Sequence, residues 1–301
     1  LEHHHHHHTQ VSGRNLFFTI LLNVAITVAQ VFGGIVSGSL ALLSDAVHNF
    51  SDVLSLVVSY VANWLTRKRK QTLTQTFGYK RAEIVAAFFN AATLIVIAVF
   101  LIIEAIGRFT HPQEVSGNIV ILLALLGILA NGLGVLFLQK DASHNLNMQS
   151  AYLHLLTDML TSVAVMVGGL LMKYFGWFWI DPILTMIISI YLIYMSWRIF
   201  IESLKILMLF APDELVMQDI EKAVVAIEGI KNIHHVHIWQ LNDHEIHFEA
   251  HIEFENDIAL SEFDVKCEQI EHLLHDRFDI HHTNLQPEFH RDDAKEFIIQ
   301  D

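Results

Sequence analysis

The chain has 301 residues, 53% of them hydrophobic and 17% charged, with a mean hydropathy of +0.42. Such a composition is too apolar for an ordinary water-soluble domain and fits a protein that crosses a membrane several times. Its formal net charge of -14 argues against nucleic acid as a partner, since a polyanion is recognised by a basic surface. The charge is unevenly placed: residues 212–301 hold 22 Asp and Glu against 6 Lys and Arg, and the remainder holds 10 against 12. An apolar, nearly neutral body followed by an acidic tail predicts two domains. Cys267 is the only cysteine, which excludes an intramolecular disulfide and a thiolate zinc cluster.

The opening Leu1-Glu2 with His3 to His8 reads as an expression tag, so those histidines do not count as site candidates. No residue from Asn15 to Ser44 is charged, so a first helix is predicted over about 15–36. Ser37-Gly38-Ser39 makes a short turn, and a second helix over about 40–65 ends in Arg67-Lys68-Arg69-Lys70. Four more apolar stretches follow, over about 81–108, 115–139, 148–173 and 181–209. Each is long enough for a hydrocarbon core of about 30 Å, which takes roughly 20 residues. Pro112, Pro182, Pro212 and Pro287 all fall at the boundaries this segmentation draws.

Basic residues set the orientation. Arg67, Lys68, Arg69, Lys70, Lys80 and Arg81 flank the second loop, and Lys140 opens the fourth, whereas the alternate loops carry no Lys or Arg. The positive-inside rule then puts both termini and both basic loops in the cytoplasm. The basic run also suits an anionic lipid surface, or pairs with the acidic tail.

The tail reads as an αββαβ domain. Asp213 is predicted to cap a helix over about 214–228 that Gly229 stops. Strands follow over about 231–241 and 245–254, then a helix over 261–278 and a strand over 283–286. In the second strand Phe248, Ala250, Ile252 and Phe254 alternate with His247, Glu249, His251 and Glu253, predicting one core face and one wet face. The fold class is therefore six transmembrane helices plus a C-terminal αββαβ domain. Its parts are a tag over 1–8, a membrane domain over 9–210, a tail domain over 211–291 and an acidic end over 292–301.

The chemistry sits in two polar islands inside apolar helices. His48 and Asp52 are four residues apart and share a helix face, with Asp45 roughly joining it. The same spacing recurs in His154 and Asp158. Two imidazoles and two carboxylates are enough to close a four-coordinate shell around Zn²⁺. Ionisable groups at membrane depth are costly and mark ion pathways. The competing reading is two pairs of polar residues that hydrogen-bond helices together and bind nothing. No phosphate-cradling glycine loop, His-Glu-x-x-His pair or nucleophile elbow is present.

These strings resemble the cation diffusion facilitators, and within them the zinc-efflux branch. The resemblance is carried by Gly38-Ser39-Leu40-Ala41-Leu42-Leu43-Ser44-Asp45 running into His48 and Asp52, then by Phe77-Gly78-Tyr79 with Arg81 and Glu83. It continues through Ala151-Tyr152-Leu153-His154 with Asp158, Trp179-Ile180-Asp181-Pro182 and His237-Ile238-Trp239. It implies a homodimer in a bacterial inner membrane that exchanges divalent metal for protons, an antiporter and not an enzyme. The transport site it implies is His48, Asp52, His154 and Asp158, with Asp45 at the entrance or a helix interface. Neutral imidazole binds metal and imidazolium cannot, so ligands with an ordinary pKa of about 6.5 supply the exchange themselves.

Some family members hold a second metal between the second and third helices on Asp and His. Residues 67–80 contain neither, so no metal is expected there. His234, His251 and His282 match positions of a regulatory metal site between paired tails, with His247 as a further candidate. His272, His275 and His290, among the eleven tail histidines, read as solvated surface. Other cargoes (Co²⁺, Cd²⁺, Ni²⁺, Fe²⁺) remain open, as does a membrane metal sensor that transports nothing. An intramembrane hydrolase lacks the open coordination position and general base it needs.

Overall fold

A computed structural model describes residues 13–68, 72–139 and 146–298. The terminal histidine run, Arg69, Lys70, Lys140 and the last three residues lie outside the described residues. Six long helices come first: α1 Gly13–Ser37, α2 Leu40–Lys68, α3 Ala82–Thr110, α4 Gly117–Leu138, α5 Leu146–Phe175 and α6 Ile180–Leu207. Their apolar side chains point outward as well as inward. On α4, Leu122, Leu129, Leu133, Leu136 and Phe137 are all exposed, a surface that water would penalise and lipid solvates. The segments Ala82–Thr110, Gly117–Phe137, Tyr152–Phe175 and Ile180–Leu207 are each long and apolar enough to cross a bilayer, and Val24–Ser37 is an apolar stretch of α1. α2 carries Asp45, His48, Asp52 and the basic end. The chain is a multi-pass membrane protein.

Small residues bring the helices close. Ala41, Ala98 and Ala124 are buried with Leu42, Val120, Val165 and Leu192 in one cluster. A Cβ on Gly117 of α4 would stand 2.7 Å from the carbonyl oxygen of Gly169 on α5, so the two backbones meet where side chains are absent. The start of α2 is pinned by Asp181 from the first turn of α6. Its carboxylate accepts from Ser39 Oγ at 2.5 Å, Leu40 N at 2.9 Å and Ala41 N at 3.3 Å, which answers the orphan amides of a helix N-terminus. Arg108 of α3 balances it, with Nη1 3.5 Å from Asp181 Oδ2 and donating to the carbonyl of Gly38.

The tail has α7 Met217–Val225, β1 Ile230–Gln240, β2 Ile246–Phe254, α8 Leu260–Phe278 and β3 His282–Glu288. The sheet order is β1-β2-β3, with β1 antiparallel and β3 parallel to β2, so α8 is the crossover that a parallel pair requires. Ile220, Ile233, Phe248, Ile252, Ile270 and Leu274 form its core.

Two expectations for the tail need correction. The first helix runs only over Met217–Val225, with Val216 at its cap and no side-chain cap hydrogen bond, and Asp213 instead pairs with the ammonium of Lys205 at 2.6 Å. The second face of β2 is not wet: His247 and Glu253 are buried and His251 is half-buried. Segments distant in sequence cover it. Phe77 meets the His247 ring edge-on at 5.6 Å, and residues 291–298 return to lie beside β1. The chain divides into two compact units, Leu1–Val61 with Phe89–Phe200, and Ala62–Phe88 with Ile201–Asp301.

Candidate metal centres

α2 and α5 each present one i, i+4 pair to the other. His48 Nε2 lies 2.9 Å from Asp158 Oδ1 and 3.7 Å from Asp52 Oδ2. His154 Nε2 lies 3.4 Å from Asp52 Oδ2 and 3.5 Å from Asp158 Oδ2. Every imidazole thus faces both carboxylates, and the rings stand edge to face with centroids 5.8 Å apart. Ligand atoms about 2.0–2.2 Å from a tetrahedral Zn²⁺ stand roughly 3.3–3.6 Å from one another. The four separations lie within a few tenths of an ångström of that edge length, but they run to both oxygens of Asp158; the atoms that all lie within 4.8 Å of one another come from His48, His154 and Asp158, with Asp52 beside them.

Accessibility grades across the four. His48 and Asp158 are deep, with side chains 12% and 5% exposed, while Asp52 and His154 are 33% and 45% exposed. A cavity of about 120 Å³ opens onto Asp52, His154 and Asp158, and Thr27, Asn49 and Asn131 supply polar walls. An ion entering there meets the two accessible ligands first.

Asp45 is fully buried behind this group. Its Oδ2 accepts from Gln30 Nε2 at 3.0 Å and from Ser162 Oγ at 3.3 Å, and its Oδ1 has no hydrogen-bond partner. Asn49 donates to Gln30 Oε1 at 2.9 Å, tying α1 to the helix that carries His48. Gly127 of α4 leaves the room: a Cβ there would meet Ser162 Oγ at 2.8 Å and Gln30 Nε2 at 3.2 Å. The sequence reading passed over Gln30, Asn49, Asn131 and Ser162. Gln30 had a visible signal, an amide within the charge-free apolar run of residues 15–44.

The tail holds a second group. His234 and His251 are opposite one another on β1 and β2, and the end of β3 brings Glu288 to both. His234 Nε2 is 3.1 Å from Glu288 Oε2 and 3.8 Å from Asp293 Oδ1, and His251 Nδ1 is 2.8 Å from Glu288 Oε1. That last approach is too poorly aligned to be a hydrogen bond, and Nδ1 of His234 is buried with no partner. Four atoms, one each from His234, His251, Glu288 and Asp293, lie within 4.8 Å of one another. Burial pushes the His251 imidazole below its ordinary range, with Glu288 opposing and His235 and His234 reinforcing. Burial works the other way on Glu288, but the hydrogen bond and charge of Lys295 hold its carboxyl below the usual range.

His282 is not in this group. Its ring packs on His247 at 4.6 Å, at the opposite end of β3 from Glu288. Glu288 and Asp293 stand where the sequence suggested a third histidine. Sequence inspection missed them because a strand end and a loop-back have no spacing signature.

Residues 16–208 match the model of the cation efflux transmembrane domain, and residues 212–290 that of the cation efflux protein cytoplasmic domain. The chain belongs to the cation efflux family. It is 35% identical over 275 residues to the cadmium, cobalt and zinc/H(+)-K(+) antiporter of Bacillus subtilis, covering 91% of this chain and 88% of that protein. Zinc transporter ZitB of Escherichia coli is 33% identical over 280 residues, 92% and 88% of the two chains. Metal cation efflux system protein CzcD of Cupriavidus metallidurans is 32% identical over 273 residues, 91% and 85%. The family makes the chain a transporter of divalent metal cations, not an enzyme, and its zinc-efflux branch is the one the sequence resembled.

Proposed function

We propose that this chain moves Zn²⁺ out of the cytoplasm in exchange for protons, by alternating access at His48, Asp52, His154 and Asp158. The single observation that carries the reading is that each imidazole lies within 3.7 Å of both carboxylates, one on its own helix and one on the other. The same distances suit two states of the site. With both imidazoles protonated, two positive rings pair with two carboxylates. With both neutral, the two ring nitrogens and two carboxylates surround one Zn²⁺. The net charge at membrane depth is equal in both, so neither state carries the cost of an unbalanced buried charge. Two protons and one Zn²⁺ are therefore interchangeable at one place.

Nitrogen and oxygen donors in a four-coordinate shell favour Zn²⁺ over Ca²⁺ or Mg²⁺, which take six or more oxygens. Relatives named for cadmium and cobalt support Cd²⁺ and Co²⁺ as secondary cargoes. The protein works as a homodimer in a bacterial inner membrane, with both termini and the acidic tail in the cytoplasm, where basic loops belong. Metal held by His234, His251 and Glu288 regulates it from the tail.

The test is Zn²⁺ flux into proteoliposomes that contain a pH dye, with Asp52→Ala and His154→Ala beside the parent chain. Zinc uptake with proton release near two per ion, both abolished in each variant, is the expected outcome. Zinc flux without proton counterflow removes the exchange. Normal flux in His154→Ala removes the site, and no flux in the parent favours the sensor.

A further inference from the structure

The family's tail match ends at residue 290, and the chain then turns back on its own sheet. A bulge in β1 makes this possible. Between the pairs His234–His251 and His237–Glu249, two residues of β1 face one of β2, and His235 takes a left-handed backbone with φ of 51°. The bulge turns the amides of His235 and Val236 outward, where they donate to the carbonyls of Glu296 at 3.2 Å and Phe297 at 2.8 Å. Asn232 Nδ2 donates to the Lys295 carbonyl at 3.3 Å, and Phe297 packs on the tail core. Residues 295–297 are thereby fixed along the edge of β1.

This fixing puts the ammonium of Lys295 inside the ligand group. Its Nζ is 3.0 Å from Glu288 Oε2, 2.5 Å from Asp293 Oδ1 and 3.4 Å from His234 Nε2. An ammonium has donors only, and the two carboxylates that face it are acceptors; His234 Nε2 lies beside them, 3.1 Å from Glu288 Oε2. Two carboxylates converge on one cation position, and the cation now there is tethered to the chain. A divalent ion bound by Glu288 and Asp293 with His234 needs the same carboxylate lone pairs, so the two occupants exclude each other.

We propose that Lys295 is a built-in competitor at the tail metal site, and that a divalent cation fills His234, His251, Glu288 and Asp293 only by expelling it. This rests on the reading of His234, His251 and Glu288 as a metal site, and adds Asp293 as a ligand from beyond the family's domain. The competitor sets a threshold: low metal leaves the lysine in place, and higher metal displaces it. Because Lys295 is continuous with Glu296 and Phe297, its displacement loosens the strand-like contact on β1. Site occupancy is converted into release of residues 291–298. Arg291 also lies on these carboxylates, 3.2 Å from Glu288 Oε1 and 3.5 Å from Asp293 Oδ2.

The experiment uses the full chain in detergent, lacking residues 1–8 and carrying His154→Ala so that neither the histidine run nor the membrane site contributes. Zn²⁺ affinity is measured by competition with a chromophoric chelator, and amide hydrogen exchange is followed at His235 and Val236. Lys295→Met is expected to tighten binding about tenfold, equivalent to about 1.4 kcal/mol, and Asp293→Asn to weaken it by a similar factor. Zn²⁺ is expected to speed exchange at both amides of the parent. If the His234→Ala, His251→Ala double variant loses this binding while Lys295→Met leaves the affinity unchanged or lower, the metal site stands and the competitor is refuted. Binding that survives the double variant refutes the site and the competitor together. Slower exchange at the two amides on adding Zn²⁺ refutes the release.

Discussion

Histidine in the tail is put to opposite uses within a few residues of one strand. His251 and His234 face carboxylates, while His247 on the same side of β2 is buried under Trp239, Phe77 and His282. Burial pushes its imidazole below the ordinary range, the neighbouring His282, Lys80 and Arg81 push the same way, and only Glu245 opposes. The folded state therefore binds fewer protons at His247 than the unfolded chain does just below the ordinary histidine value of about 6.5. Its contribution is whole above that pH and is lost as pH falls towards the depressed folded value. Thermal unfolding of the full chain with a chelator present should show a lower Tm at pH 5.5 than at pH 7.5. Replacing His247 by Gln should flatten that difference, removing a slope of at most about 1.4 kcal/mol per pH unit. An unchanged difference in the variant would place the pH sensitivity elsewhere. None of this shows in the sequence, where His247 is one alternating polar position of a strand. Phe77 and His282, two of the three rings that pack on it, lie far from it along the chain.

At the scale of elements, the long helices and their order were legible because each is an apolar run bounded by charge, proline or glycine. Their packing was less so. The contact of α4 with α5 depends on Gly117 and Gly169, whereas a Cβ added to Gly107 of α3 would meet no atom within 4 Å. Gly117→Ala drives a methyl against the Gly169 carbonyl and the Lys173 backbone, neither of which yields without moving a helix. It should cost about 1–3 kcal/mol, seen as a lower apparent Tm in detergent. Gly107→Ala meets nothing and should be neutral or stabilising by up to about 1 kcal/mol. Equal effects of the two would mean that helix propensity, not the close approach, governs. In the tail, the αββαβ order was legible from alternation and turns, yet the start of α7 was misplaced. Asp213 has the chemistry of a cap but lies four residues before α7 and pairs with Lys205 instead.

For the whole molecule, sequence reading fails at contacts between segments that spacing cannot relate. The four residues His48, Asp52, His154 and Asp158 were legible because each pair repeats on one helix. Glu288, Asp293 and Lys295 were not, because a bulge and a chain reversal assemble them. The loop between α2 and α3 is a third case: it belongs to the same compact unit as the tail. Lys80 in that loop pairs with Glu245, just before β2, at 2.5 Å. Both side chains are about one-third exposed, 30% and 32%, so water and salt screen the pair. Its strength is best isolated by a double-mutant cycle of Lys80→Glu, Glu245→Lys and the swapped pair, read as stability of the full chain. Each single reversal sets like charges together and should destabilise, and the swap should recover most of the loss. The coupling should be about 0.2–1 kcal/mol at low ionic strength. In 1 M NaCl, where the screening length is about 3 Å, it should fall towards zero. A coupling that persists in high salt would mean that the loop is held to the tail by packing, with Phe77 against His247 as the contact to test next.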